Sequence, residues 1–213
     1  MEYDVLVVGA GPAGLSTAIK LAQLNKKNNT SHSICVIEKG SEVGAHILSG
    51  NVFQPNALDE LIPNWKELNA PLNVPVTKDK IYYLLKNIGI PVPPFVMPNL
   101  NNHGNYVISL GNLCRWLGEQ AENLGVEVFP GFPASKLIFE NDEVVGVQTG
   151  DMGVSESGEL KPGHELGIEI KAKMTILGEG CRGHLGKQII NKYNLSDGKD
   201  PQHYGIGFKE VWK

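Results

Sequence analysis

The chain has 213 residues, 41% hydrophobic and 20% charged, with a formal net charge of −4. That length suits one folded domain, or one domain and part of another, and the mild acidity speaks against general nucleic-acid binding. Three cysteines, Cys35, Cys114 and Cys181, contain no C-x-x-C pair, which excludes a disulfide framework and a metal or iron–sulfur site built from these residues alone.

Only Met1 and Glu2 precede the first predicted strand, so no signal peptide is expected, and no apolar run is long enough to span a bilayer. Residues 3–8, Tyr-Asp-Val-Leu-Val-Val, are a β-branched run that reads as a buried strand. Gly9, Gly11 and Gly14 follow in the order G-x-G-x-x-G. A helical pattern through Leu15, Ala18, Ile19, Leu21 and Ala22 predicts a helix over 15–25, and the polar run 26–33 predicts a loop. Ile34–Glu38 reads as a second strand that ends in an acid.

Strand, glycine turn, helix and acid-tipped strand form the βαβ dinucleotide fingerprint. Gly9 permits the tight turn, Gly11 lets backbone approach a pyrophosphate, and Gly14 lets the helix pack closely on the strand. The free N–H groups and positive end of the helix then face the phosphates. Glu38, 24 residues after Gly14, is placed to accept hydrogen bonds from ribose hydroxyls. The fingerprint alone leaves FAD and NAD open.

Residues 40–56 are rich in Gly and Ser and predict an irregular loop; 57–62, ending before Pro63, predict a short helix. Residues 71–105, with many Pro and Asn around Tyr82-Tyr-Leu-Leu85, read as an extended excursion. Leu110, Leu113, Leu117, Ala121 and Leu124 give helical spacing over 109–124 with Ser109 as cap, and 126–129 follow as a strand. Alternating segments around Asn141-Asp142 predict a hairpin over 136–149. Residues 150–165 read as a polar loop, 168–177 contain a strand ending at Gly178-Glu179-Gly180, and 183–191 suit a helix. The alternation over 204–212 predicts a last strand, and so abrupt an ending predicts a truncated protein. The order predicts an α/β fold: a FAD-binding Rossmann-like βαβ domain with an inserted hairpin and the start of a substrate- or quinone-side region.

Several segments carry a more specific likeness. Val7-Val-Gly-Ala-Gly-Pro-Ala-Gly-Leu15, Gly44-Ala-His-Ile-Leu-Ser-Gly50, Asn101-Asn-His-Gly-Asn-Tyr106, Gly178-Glu-Gly-Cys-Arg-Gly-His-Leu185 and Tyr204-Gly-Ile-Gly-Phe-Lys-Glu-Val-Trp212 resemble the electron-transfer flavoprotein–ubiquinone oxidoreductase family, over essentially the whole chain. The first segment is common to very many flavoproteins; the middle three are far more specific. The resemblance implies an electron-transferring-flavoprotein dehydrogenase that oxidises reduced electron-transfer flavoprotein and reduces ubiquinone at a membrane surface, with one FAD and one [4Fe–4S] cluster. It makes 1–213 an incomplete FAD-binding domain with 45–105 an excursion towards the flavin and membrane side. The quinone-binding and cluster domains are expected beyond Lys213, so the chain alone is expected to be inactive.

Carried over by position, Gly9, Ala10, Gly11, Pro12, Ala13, Gly14 and Leu15 hold the FAD pyrophosphate, and Glu38 with Lys39 holds the adenosine ribose. Gly44, Ser49 and Gly50 pass the flavin. Gly178, Glu179 and Gly180 replace a Gly-Asp-Gly strand end, with Glu in place of Asp. The family's membrane segment falls on Ala45 to Lys66, whose scattered apolar residues suit a membrane surface and not a crossing. The implied location is the cytoplasmic face of a bacterial inner membrane, or the matrix side of the mitochondrial one. The rival readings are a related membrane-associated flavoprotein (a nitrogen-fixation-type quinone reductase or a prenyl reductase) and a FAD-binding module without turnover.

Some residues admit two roles. His46 either tunes the flavin or orders its loop, and His103 either meets a cofactor or sits in an Asn-Gly turn. Cys181 and His184 are either a nucleophile–base pair or bystanders, with a flavin enzyme needing no protein nucleophile. Arg182 either reaches phosphate or is solvated. Trp65 is either an interfacial anchor or a core residue.

Overall fold

A computed structural model describes residues 1–48, 50–155 and 157–206. In chain order the elements are β1 (Glu2–Val8), α1 (Pro12–Asn28), β2 (Ile34–Glu38), β3 (Asn51–Phe53), α2 (Asn56–Leu61), β4 (Val74–Pro75), β5 (Ile81–Leu84), β6 (Gly89–Val92) and β7 (Tyr106–Ile108). They continue with α3 (Leu110–Asn123), β8 (Glu127–Pro130), β9 (Ala134–Glu140), β10 (Glu143–Thr149), β11 (Met152–Val154), β12 (Leu160–Glu165), β13 (Glu169–Leu177) and α4 (His184–Lys192). The chain divides into two compact units, Met1–Leu48 with Cys114–Lys213, and Ser49–Leu113.

The first unit is built on a six-stranded sheet of order β8-β2-β1-β13-β10-β9. The first four strands run parallel and the β10 and β9 neighbours antiparallel. Parallel strands are covered on both faces, which is why β1 and β2 read as unbroken apolar runs. Leu6, Cys35, Val147, Ile170 and Leu185 are buried in one cluster. Gly14 of α1 comes within contact distance of Val7, so the helix lies on the β1 face that carries that side chain. This is a Rossmann-like α/β fold, as the sequence order predicts.

The helix α1 runs three residues past its predicted end, to Asn28. Lys26 and Lys27 occupy its last turn, where cations favour the negative helix end, and Asn29 closes it in the left-handed region at φ 53°. Asn141 and Asp142 both have positive φ, 47° and 69°, as a two-residue hairpin turn requires, and the predicted β9–β10 hairpin forms around them. Ser109 caps α3 as expected, its Oγ accepting from the Asn112 N–H at 3.3 Å.

The predicted loop over 150–165 is instead a hairpin of β11 and β12. Its strands meet where a Cβ on Gly153 would lie 2.9 Å from His164 Cα, an approach that only glycine permits. Of the expected strand over 204–212, residues 204–206 have no regular structure and the rest lies outside the described residues.

Cys35 and Cys114 are buried and Cys181 is exposed. Burial, reinforced by the negative charges of Glu127 and Glu38 respectively, pushes the two buried thiols up to about 12, so they stay protonated and unreactive.

Asp4 on β1 accepts from Lys173 Nζ on β13 at 2.7 Å and from the Ser33 N–H at 2.8 Å. The Lys173 ammonium, with the Ser33 hydrogen bonds, lowers its carboxyl from 3.8 to about 2. A carboxyl more acidic in the native state binds fewer protons there than in the unfolded chain. Its stabilisation is complete above pH 3.8 and is lost as pH falls towards about 2. Asp4→Asn is expected to lower the melting temperature at neutral pH. Calorimetry from pH 6 downward should show the gap to the parent closing near pH 2; a gap that stays constant would sink this account.

The second unit holds a three-stranded antiparallel sheet of order β3-β7-β4 and a separate hairpin of β5 and β6. The short strands β3 to β6 arise where an irregular loop and an extended excursion are predicted. Trp65 is a core residue: it is 4% exposed, its indole N–H donates to Asp59 Oδ1 at 2.7 Å, and its ring meets Tyr106 edge-on. Leu58 and Ile62 are buried as well. Within Ala45 to Lys66, then, Leu58, Ile62 and Trp65 are turned inward, while Leu48 and Val52 are exposed. The most exposed large apolar side chains of this unit, Tyr83, Leu84, Ile88 and Phe95, lie on the β5–β6 hairpin and just after it.

Candidate functional site

The parallel strands β1, β2 and β13 end on the same side of the sheet, where doubly wound folds place their ligands. There the first unit opens a cleft of about 480 Å³. The fingerprint loop from Val8 to Ala13 forms one wall, with Glu38 and Lys39 at the end of β2. Gly44, His46 and Ile47 follow, then Phe132 to Ala134, then Gly178 to Gly180 with Arg182 to His184.

Three glycines close the floor. Gly9 sits at φ 103°, and a Cβ there would lie 2.6 Å from Gly178 O. A Cβ on Gly14 would lie 1.9 Å from Gly9 O, and one on Gly178 would lie 3.1 Å from Gly14 Cα. The backbone is drawn together by Gly9 N–H on Ile37 O and Gly178 N–H on Val8 O, both at 2.8 Å. Gly11 is different: a Cβ built on it meets nothing within 4 Å, and its φ of −81° suits any residue. It is therefore open space over the backbone, on the cleft side, that singles out this glycine.

The amino end of α1 faces that space. Its first intrahelical bond runs from Leu15 N–H to Gly11 O, so the N–H groups of Gly11, Ala13 and Gly14 precede it, and Pro12 has none to satisfy. No side chain caps this end and no acid lies in its first turn. Unscreened N–H groups and the positive end of the helix dipole together attract an anion. Leu15, fully buried, supports the turn from behind and does not line the cleft.

Glu38 has a role the sequence does not disclose. Oε2 accepts from Ala10 N–H at 2.9 Å and Oε1 from Gly40 N–H at 2.8 Å, so the carboxylate latches the fingerprint loop to the end of β2. Each oxygen keeps a second lone pair for a hydroxyl in the cleft. The loop after it is held by the Glu42–Arg115 ion pair at 2.9 Å and by Ile47 N–H on Gly44 O, which places Gly44 and His46 on the cleft. Ser49 lies outside the described residues; Gly50, at φ 87°, belongs to the second unit.

Glu179 lines the cleft and turns both oxygens to the first turn of α4, accepting from Leu185 N–H at 3.1 Å and Gly186 N–H at 2.9 Å. Arg182 lines the cleft with its guanidinium 5.4 Å from the centre of the Tyr204 ring. Among the described residues no hydrogen bond joins Cys181 to His184. His103 sits in the turn its neighbours suggest, its N–H on Asn101 Oδ1 at 3.0 Å ahead of Gly104 at φ 88°, within the second unit. The sequence reading misses Phe132 to Ala134. Gly131 and Phe132 donate to Gly40 O and Glu38 O, and the Pro-Gly-Phe-Pro run at 130–133 is the signal that marks this strand end.

Residues 7–66 match the family described as NAD(P)-binding Rossmann-like domain. Over its whole length the chain is 57% identical to the probable electron transfer flavoprotein-ubiquinone oxidoreductase of Acinetobacter baylyi and 59% identical to that of Pseudomonas aeruginosa. By sequence it is a relative of the electron transfer flavoprotein-ubiquinone oxidoreductases, matching their amino-terminal third. The mitochondrial protein of that name from Arabidopsis thaliana is 52% identical over the whole chain. The chain spans 38%, 39% and 34% of the length of these three relatives. Among solved structures, a geranylgeranyl bacteriochlorophyll reductase-like protein from Thermoplasma acidophilum superposes with TM-score 0.62 at 24% identity, over 87% of this chain and 41% of that one. A myxobacterial FAD-dependent halogenase superposes with TM-score 0.60 at 16% identity, over 87% and 39%. These two likenesses speak for the fold alone.

Proposed function

We propose that the cleft holds FAD, and that the chain is the FAD-binding part of an enzyme that passes electrons from reduced electron-transfer flavoprotein to ubiquinone. The observation that carries the reading is the pairing of open space over Gly11 with the uncapped amino end of α1. A pyrophosphate needs both: room for close backbone approach, and donors that face it. The remaining roles follow the cleft lining. Glu38 and Lys39 lie where the ribose of the adenosine half would bind; Gly44, Gly178 and Gly180 offer backbone without side chains. His46 and Ile47 stand on the wall that the more apolar part of the ligand would meet. FAD, when bound, supplies the one- and two-electron chemistry; the protein binds it, orients it and sets its surroundings.

The names of the relatives, at 50–59% identity over nearly all of this chain, support electron-transfer flavoprotein and ubiquinone as the partners. The iron–sulfur cluster and the quinone site belong, in this reading, to sequence outside these residues. The test is a flavin-fluorescence titration of the chain freed of ligand. Quenching of FAD fluorescence that saturates at one FAD per chain is expected, with ADP competing. FAD emission unchanged at micromolar protein would overturn the reading.

The proposed location is a membrane surface, bacterial or mitochondrial. Among the described residues no helix is long and apolar enough to cross a membrane. The contact is assigned to the exposed β5–β6 hairpin and the residues after it, Leu84 (78% exposed) and Phe95 (82%) foremost, in place of Ala45 to Lys66. Flotation with phospholipid vesicles should bring the chain up with the lipid, and Leu84→Asp with Phe95→Asp should leave it at the bottom. Equal flotation of both would sink the assignment.

A further inference from the structure

Two helices, α1 and α4, bring their amino ends to the lining of the cleft, yet the two ends are treated in opposite ways. Neither has a cap from its own N-cap side chain or an acid in its first turn, and at α1 no hydrogen bond from the Ala13 or Gly14 N–H to a side chain is found among the described residues. The amino end of α4, a helix of nine residues, is closed by Glu179 with both carboxylate oxygens, 3.1 Å from Leu185 N and 2.9 Å from Gly186 N. The fit is tight: a Cβ on Gly183, the residue before α4, would lie 2.5 Å from Glu179 Oε2, so glycine there makes room for the carboxylate.

We infer that Glu179 is a positioning residue that fills the α4 amino end with the chain's own negative charge and so leaves the α1 end to receive the anionic part of the ligand. At the α4 end the carboxylate occupies the Leu185 and Gly186 amides and balances the positive end of the dipole, so that end offers a phosphate less than the α1 end does. Two open ends on one cleft would give a diphosphate two competing seats, and the ligand would lose its register. Glu179 thus removes the wrong seat. This rests on the reading of the cleft as a dinucleotide site, but its test does not need FAD.

The probe is inorganic pyrophosphate, followed through backbone amide resonances of the isotope-labelled chain. In the unaltered protein the Gly11, Ala13 and Gly14 amides should move on titration while Leu185 and Gly186 stay in place. In Glu179→Gln, which keeps the shape and loses the charge, Leu185 and Gly186 should move too. Movement of Leu185 and Gly186 in the unaltered chain, at the concentration that moves Ala13, would overturn the inference without any need for the variant to fold. A folded Glu179→Gln in which they stay still would make Glu179 a plain structural cap and overturn it equally. If instead the α1 amides never respond while the variant's α4 amides do, the role of Glu179 stands and the dinucleotide reading fails.

Discussion

Gly11→Val should fold like the parent chain and lose FAD. Gly11 is a glycine for the ligand's sake. Its φ of −81° and ψ of −178° are open to valine, and its Cβ would enter space in which nothing lies within 4 Å. As the residue before α1 it makes no side-chain cap that a substitution could remove. The cost to stability is that of an apolar residue at the helix N-cap, about 1 kcal/mol, or about 3 °C in melting temperature for a chain of this size. Binding is another matter. The valine methyl groups occupy the place where a pyrophosphate must approach the backbone, and they hold it off the N–H groups of Gly11 and Ala13. Hydrogen bonds from amides to a charged acceptor contribute about 1.5–3 kcal/mol each. Loss of two weakens FAD binding by about 100-fold or more. A melting curve and a flavin-fluorescence titration on the same preparation decide it; retained affinity would place the pyrophosphate elsewhere.

This contrast was within reach of the sequence, because G-x-G-x-x-G with a strand before and a helix after is a local pattern. So were α3, where helical spacing and a capping Ser109 agree, and the β9–β10 turn, where Asn141 and Asp142 tolerate positive φ. What escaped depends on contacts that no local sequence pattern announces. The pairing of β11 with β12 needs Gly153 to lie against His164, and neither strand alternates clearly enough to announce it. Glu38 and Glu179 were legible as acids at strand ends, but the amides they serve were not. Gly40 curls back after the strand, and Leu185 is set by where α4 begins. Trp65 was undecidable for the same reason, since its partners Asp59 and Tyr106 come together only in the folded unit.

Gly14→Ala should do the reverse of Gly11→Val and break the fold at its centre. Gly14 lies within α1 at an ordinary helical φ, and by intrinsic propensity alone alanine there would add about 1 kcal/mol of stability. Packing decides otherwise. The new methyl carbon would stand 1.9 Å from Gly9 O and 3.2 Å from Val7 Cγ1. The first of these atoms is backbone, and it cannot swing aside as a side chain would. Gly9 is itself wedged, since its own Cβ position lies 2.6 Å from Gly178 O, and its N–H is held by Ile37 O at 2.8 Å. Relief requires α1 to lift from β1, which uncovers Leu15, Ala18 and Ile19, all fully buried. Overpacking that moves backbone sits at or beyond the upper end of its usual range, about 3 kcal/mol or more, against the 1 kcal/mol of propensity. The net loss of about 2 kcal/mol or more should lower the melting temperature by about 6 °C or more, and any FAD affinity should fall with it because the α1 donors move. Denaturation of the ligand-free chain is the measurement, with Gly11→Val as the control in the same loop. An unchanged or higher melting point for Gly14→Ala would mean that the helix and strand do not meet as closely as Gly14, Gly9 and Gly178 place them.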